Sequence, residues 1–370
     1  MSDRKYAEAG VDYSKIDPSK LLAQELAAQT AVHLGRLNLE ELASSRGESA
    51  YVVKLGGMSL AFVTEALGTK NLVADAVRAY TGRTHYDAIA RDTVATILND
   101  LCSVGARPVA LTAYWGAGND AWFADQERAR DLTEGWAAAC NECRVSWGGG
   151  ETQVLRSLIE AGRVVLGGSA IGLILSAENA LLGERLEVGD QILLALASGI
   201  HANGLSLARK IAAGLPQGYQ TPISAEPGAR TYGEALLDPT PQYAPLVENL
   251  QLANVPLHYA AHITGHGWRK IMRASRELTY RIRHIPAVPP VLTFLQQNAE
   301  LSTEEAYGTL NMGAGFALYL PAFAVPAALA VGKRSGFELL HAGEVEAGPQ
   351  RVVIEPLGIT FDAASLQVRR

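Results

Sequence analysis

Three carboxylates and a set of glycine-rich loops are the residues here whose types and spacing can do chemistry. In Val63-Thr64-Glu65-Ala66-Leu67-Gly68-Thr69-Lys70 a carboxylate precedes a glycine and a lysine. Gly68 lets a backbone approach a ligand closely, and Lys70 offers a positive charge suited to phosphate oxygens. The spacing is not that of a Walker loop, and an ordinary turn with a surface lysine fits it as well. In Trp147-Gly148-Gly149-Gly150-Glu151-Thr152 three glycines precede a second carboxylate. Uncrowded N–H groups there suit an anion, and Glu151 stands where a bridging metal can sit. Magnesium takes oxygen ligands, commonly a few carboxylates together with substrate phosphates. A tight turn with a solvated glutamate is the alternative.

The third carboxylate is Asp100, within Ile97–Ala106 (ILNDLCSVGA). At about 100° per residue, Ile97, Leu98, Leu101 and Val104 span an arc of about 120°, a core-facing stripe. Asn99 points nearly opposite that stripe and reads as solvated or locally bonded. Asp100 lies about 80° from the stripe's centre, at the border of core and surface. Geometry alone leaves it either a solvated flank or a ligand. Gly199–Leu207 holds His201 and Asn203 between glycines, in a strand-to-helix loop of the kind that often carries function. His262–Lys270 (HITGHGWRK) resembles an anion-binding turn leading into a helix N-terminus. Neither a G-x-S-x-G elbow nor a G-x-G-x-x-G fingerprint occurs. Cys140 and Cys143 form a C-x-x-C without a second pair, and read as buried thiols.

These loops need elements to position them. Residues 60–70 read as a buried strand and a loop, 84–106 as a long helix stopped by Gly105, and 108–115 as a buried strand. Residues 120–142 read as one amphipathic helix, 145–152 as a strand end breaking into three glycines, and 163–175 as a strand. Ser19–Leu42 has helical character. Beyond a connector at Gly183–Gly189, strands are expected at 191–198, 279–285, 312–320, 337–347 and 351–356. The division expected is 1–185 and 186–370, two α/β domains, each a sheet covered by helices.

A chain of 370 residues with 48% apolar and 19% charged residues suits such a pair of cores. A net charge of −6 carries no electrostatic footprint for nucleic acid. No apolar run is long enough to cross a bilayer, and the N-terminus lacks the apolar stretch of a signal peptide. With only three cysteines besides, the expectation is a cytoplasmic protein with neither nucleic acid nor membrane as partner.

Taken in order, YAEAGVDYSKID (6–17), TEALGTK, ILNDLCSVGARPV, GGET, SGIHANGLSLARK, HITGHG and TLNMGAG resemble the phosphoribosylformylglycinamidine cyclo-ligase (aminoimidazole ribonucleotide synthetase) family, from Tyr6 to about Glu355. The resemblance implies an α/β (α+β) fold of two domains, each a mixed sheet covered by helices. The N-terminal domains would pair in a homodimer. It implies ATP and Mg2+ as cofactors and a phosphorylated small-molecule substrate. The implied reaction is ring closure of formylglycinamidine ribonucleotide to aminoimidazole ribonucleotide, through phosphate activation of the formyl oxygen. By position it makes Glu65, Asp100 and Glu151 the metal carboxylates. Gly68, Thr69, Lys70, Gly149, Gly150, Thr152, Thr264 and Gly265 become nucleotide-binding residues, and Lys70, His201 and Asn203 catalytic ones.

The chain also departs from the family pattern. Glu65-Ala66 stands where Asp-Gly is usual, and Ala43–Leu55 replaces a glycine-rich loop. The segment after GGET differs, His266 interrupts a T-G-G-G loop, and Gly308 stands in place of an arginine. These changes leave open an ATP-dependent paralogue acting on another acceptor, a kinase or amide-activating enzyme, and a non-catalytic nucleotide-binding relative.

Overall fold

Alternating inward and outward residues carry the first half of the chain into a mixed sheet. Its strands are β1 (Glu40–Glu41), β2 (Tyr51–Leu55), β3 (Met58–Ala66), β4 (Arg107–Ala117), β5 (Ser146–Val154) and β6 (Val164–Ile174). They lie in the order β1-β2-β3-β6-β4-β5, and only β4 and β5 run parallel. The second half forms a seven-stranded sheet of β7 (Gln191–Leu196), β8 (Tyr259–His262), β9 (Leu278–Ile282), β10 (Ala314–Leu320), β11 (Leu339–Ala347), β12 (Arg351–Ile354) and β13 (Ile359–Asp362). Its order is β13-β12-β9-β11-β7-β10-β8, again with one parallel pair, β9 with β12. The computed structural model describes residues 13–366, so residues 6–12 of the Tyr6–Asp17 stretch lie outside the described residues. Among the described residues no helix is long and apolar enough to cross a membrane.

The helices that matter for the site are α1 (Tyr13–Gln29), α2 (Lys70–Thr81), α3 (Tyr86–Ser103), α4 (Gln126–Glu142), α5 (Leu205–Gly214) and α6 (Ala244–Leu252). A parallel strand pair needs a crossover, and α4 supplies it between β4 and β5. The region expected as one helix over 120–142 is divided. A single turn at Ala121–Ala124 ends at Asp125, whose side chain caps α4 by accepting the Arg128 N–H. The strand expected to break at the triple glycine does not break. β5 runs through Gly148–Gly150 and bulges there, three steps along it spanning two along β4. Glycine is required at 150 because a Cβ there would lie 2.0 Å from the Ala113 carbonyl oxygen.

Helix α3 is the axis of the molecule. Ile89, Val94, Ile97, Leu98 and Leu101 are fully buried, as the apolar stripe predicts, but Asp92, Thr93 and Asn99 are fully buried too. The solvated reading of Asn99 is thereby corrected. The second half of the chain covers the helix side that a single amphipathic pattern leaves to water. Asn99 Oδ1 accepts the Tyr243 N–H at 2.7 Å, and its amide donates to the Pro241 carbonyl at 3.0 Å. One turn-pair earlier on the same side, Asp92 accepts both the N–H and the hydroxyl of Thr240. The Lys70 ammonium reaches Asp92 Oδ2 at 2.7 Å and the Asp238 carbonyl at 2.8 Å, and both side chains of the ion pair are fully enclosed. Gly105, at φ +86°, ends the helix where residue 179 crosses so closely that a Cβ would lie 1.7 Å from the Asn179 carbonyl oxygen.

A buried ion pair stripped of one partner is costly, because the remaining charge has no compensation. Asp92→Ala should therefore lower the unfolding free energy by about 3–5 kcal/mol, whereas the Lys70→Met/Asp92→Leu double variant should recover only part of that loss, because the Thr240 N–H and hydroxyl and the Asp238 carbonyl lose their partners. Urea unfolding of the three proteins checks this.

Candidate functional site

The seam between the halves opens into a cavity of 350 Å³. One wall comes from the first half. Glu65 sits at the end of β3, on the sheet face that carries Ala61 and Val63 against α3, and Asp100 projects from α3 itself. The opposite wall comes from the second half, with Thr264, Gly265, His266, Lys270 and Arg273, and Asn203 from the loop that leads into α5. Helix α1 roofs the space with Asp17, Lys20, Leu21 and Gln24.

Each charged group has a physical reason for its state. Burial, and then the neighbouring Asp100 charge, push the Glu65 carboxyl up to about 7. Burial also works to raise Asp100, but the His262 hydrogen bond and the cations Lys270 and Arg273 outweigh it and hold that carboxyl below its ordinary value. His262 Nδ1 lies 2.6 Å from Asp100 Oδ1, which fixes the carboxylate's orientation. Burial and the adjacent Arg273 push the Lys270 ammonium down to about 7. Arg273 is anchored in turn. It donates to the Gly47 carbonyl at 2.9 and 3.1 Å and to the Ser49 hydroxyl at 2.7 Å. Glu65 and Asp100 therefore face Lys270 and Arg273, and Arg273 is already paired with the buried side chain of Glu48, which also lines the cavity, at 3.4 Å. Oxygen donors this close and this poorly solvated fit a small hard cation, and the cations opposite fit phosphate oxygens.

Several expectations need correction. Glu151 does not join Glu65 and Asp100 within the chain. It pairs in register with Tyr114, and Tyr114 with Gly167, on the sheet's outer face, whereas Glu65 pairs with Gly168 on the inner one. Three strand spacings, about 14 Å, also separate them. Gly149, Gly150 and Thr152 lie on the same exposed edge strand, away from the cavity. Lys70 does not face the cleft, because Asp92 encloses it. Gly68, at φ +78°, lies against the loop that carries Ala202, and Thr69 begins α2. His201, also at positive φ, is buried with neither ring nitrogen hydrogen-bonded, and its ring packs toward Tyr243. The turn after Thr264-Gly265 leads into a short 3-10 helix, Gly267–Met272, not an α-helix.

The sequence reading named His262, His266 and Lys270 only as parts of the anion-binding turn and missed Arg273 and the α1 side chains; His266, Lys270, Arg273 and α1 complete the cleft, and His262 holds Asp100. The signal for two of them was present. Lys270 and Arg273 follow the HITGHG turn, after Arg269, and stand three residues apart, so both fall on one side of it. Among the described residues, the group of three metal-ligand side chains close enough to share an ion is elsewhere, at Glu187, Asp190 and His258. There Asp190 already accepts from the Glu187 N–H at 3.0 Å and lies 2.9 Å from His258 Nδ1.

Residues 47–174 match the family described as AIR synthase related protein, N-terminal domain, and residues 187–355 match its C-terminal domain. Phosphoribosylformylglycinamidine cyclo-ligase of Methanobrevibacter smithii is 33% identical over 312 residues, 84% of this chain and 86% of its own. The Pyrococcus furiosus protein of that name is 32% identical over 362 residues, 96% of this chain and 99% of its own. Among solved structures, hydrogenase maturation protein HypE in complex with ATP superposes with a TM-score of 0.55 at 20% identity, covering 82% of this chain and 83% of that one. T. maritima PurL complexed with FGAR does so with 0.52 at 16% identity, covering 87% of this chain and 48% of that one. At these identities the structural likeness is one of fold.

The buried His201 generates a pH prediction. Burial, then His262 and Lys70, hold its imidazole well below the ordinary value, so the folded protein keeps it neutral. Stability from this group is present above the unfolded value near 6.5 and is lost as pH falls below it, at about 1.4 kcal/mol per pH unit. Between pH 7 and 5, His201→Asn should lose less stability than the parent, by about 2 kcal/mol. Chemical denaturation at each pH measures the difference.

Proposed function

The chain belongs to the AIR synthase related family, and from that premise we propose that it closes formylglycinamidine ribonucleotide to aminoimidazole ribonucleotide with ATP, a step of purine synthesis. The observation that carries this reading is the shared name of relatives 31–33% identical across 84–96% of the chain. A different acceptor is not favoured, because these relatives match both halves of the chain and not the nucleotide-facing loops alone.

In this reaction the terminal phosphoryl group of ATP passes to the formyl oxygen. An internal nitrogen then attacks the formyl carbon, and the carbon–oxygen bond breaks as phosphate leaves. Such chemistry depends on positioning and on fixed charge more than on a strong base. In our reading, Lys270 and Arg273 face the phosphates. Arg273 suits this role because its guanidinium is already tied to Gly47 and Ser49 and needs no reorganisation. Asn203, Thr264 and the Gly265 backbone supply neutral polar contacts along the cleft. Magnesium, when bound, neutralises phosphate charge, and Glu65 and Asp100 would hold it. His262 keeps Asp100 aimed into the cleft. Lys70 acts at a distance, by fixing the 68–70 turn to the second half.

We assign homodimer formation to the outer face of the first sheet. Phe62, Val109, Val165 and Ile171 lie on its strands, each 41–42% exposed. Phe62 and Ile171 are register partners, and the Thr64–Ser169 hydrogen bond (2.8 Å) lies one residue pair farther along that face. Bare apolar sheet faces of this kind invite a partner. The Phe62→Asp/Ile171→Lys variant should run as a monomer by light scattering where the parent runs as a dimer.

The direct test of function is phosphate release from ATP with formylglycinamidine ribonucleotide present, read against ring-closed product. One phosphate per product is expected, and no product from the authentic substrate would overturn the reading. Asp100→Asn keeps size but removes charge, and should lower kcat at least ~100-fold. Its melting temperature should stay within a few degrees of the parent.

A further inference from the structure

Helix α1 touches the rest of the molecule along one stripe. None of its described side chains is buried, and the half-buried ones, Asp17, Leu21 and Gln24, recur at i, i+4 and i+7 on one helix face. That same stripe meets the cleft. All three line the 350 Å³ cavity, and Leu21 and Gln24 continue along a neighbouring cavity of 520 Å³, where Arg46 and Arg276 also lie. Beneath α1 there is thus space where a core helix would have packed side chains. On its outer side Leu22 and Leu26 remain 53% exposed. Most helical stability in proteins comes from packing an apolar face, so a helix held this thinly belongs to the low-stability end of a structure. Toward the opposite wall, Asp17 Oδ2 stands 3.8 Å from His266 Nε2, in contact but beyond direct hydrogen-bond distance.

We propose that α1 is a lid over the cleft, that its closure brings Asp17 and Lys20 to the ligand, and that His266 is its catch on the far wall. The ligand part rests on the reading that the cleft takes Mg-ATP; the lid part does not. His266 belongs to the positioning of the lid, since it meets Asp17 across the mouth of the cavity. It also stands at φ +70°, so a glycine there removes the catch without adding backbone strain.

Hydrogen exchange of the full chain tests this. In the free protein, amides of 13–29 should exchange at least ~100-fold faster than those of α3, and His266→Gly and Leu21→Ser should each speed them a further ~3-fold or more while leaving α3 unchanged. Added ATP with magnesium should slow 13–29 by ~10-fold or more, again without change in α3. Protection of 13–29 equal to that of α3 would overturn the lid, and so would variants that loosen both segments together. ATP that binds by calorimetry yet leaves 13–29 unaltered would overturn closure on the ligand. Failure of ATP to bind at all would instead sink the nucleotide reading, with the free-protein measurements still deciding whether the lid opens.

Discussion

Burial of polar side chains on helix α3 is the constraint on which the rest of the structure depends. A carboxylate or amide taken out of water must find partners, because an unsatisfied one costs more than most contacts return. Asp92, Asn99 and Asp100 find theirs in the second half, at Thr240, at residues 241–243 and at His262. The helix therefore ties the two sheets into one body. Where it does so, the seam leaves the cleft. Lys70 closes the arrangement, neutralising Asp92 and gripping the Asp238 carbonyl.

The cleft is built at an electrostatic cost that the fold holds in place. Glu65 and Asp100 repel each other in poor solvation, as do Lys270 and Arg273, and each pair is tolerable because the other stands opposite. Arg273 is already compensated by Glu48, so of the four the charges left facing the cleft are Glu65, Asp100 and Lys270. Rigid anchoring makes this useful. Asp100 rides on the most buried helix and is held by His262, while Arg273 is stapled to the loop at Gly47 and Ser49. The roof is the contrast, since α1 has no comparable packing.

Departures from the family pattern become intelligible in three dimensions. Gly308, where an arginine is usual, leaves room for another arginine: a Cβ at 308 would lie 2.9 Å from the Arg269 guanidinium, which is itself buried over Phe361. His266, in place of a loop glycine, fills part of the cleft and is held neutral there. Burial, Lys270 and Arg269 push its imidazole down to about 3. Ala66 follows Glu65 on the exposed side of β3, where the strand continues to its end without needing a glycine.

Sequence alone determined what local physics determines. Period-two and helical patterns located β3, β4 and α3, Gly105 marked the helix end, and the order of motifs identified the family and picked out Glu65 and Asp100, which line one cleft. It also singled out Asn203, Thr264 and Gly265, which do line the cleft. What it could not supply was facing and enclosure. Glu151 shares a motif logic with Glu65, but a bulged pairing across three strands turns it to the other side of the sheet. Lys70 carries the same charge whether it meets a phosphate or a buried Asp92. Asn99 looks solvated until a second sheet covers its side of the helix. Side-chain direction within one element is a local property and can be read from spacing. Which surface that element presents to a chain segment 140 residues away is decided only when the two halves pack.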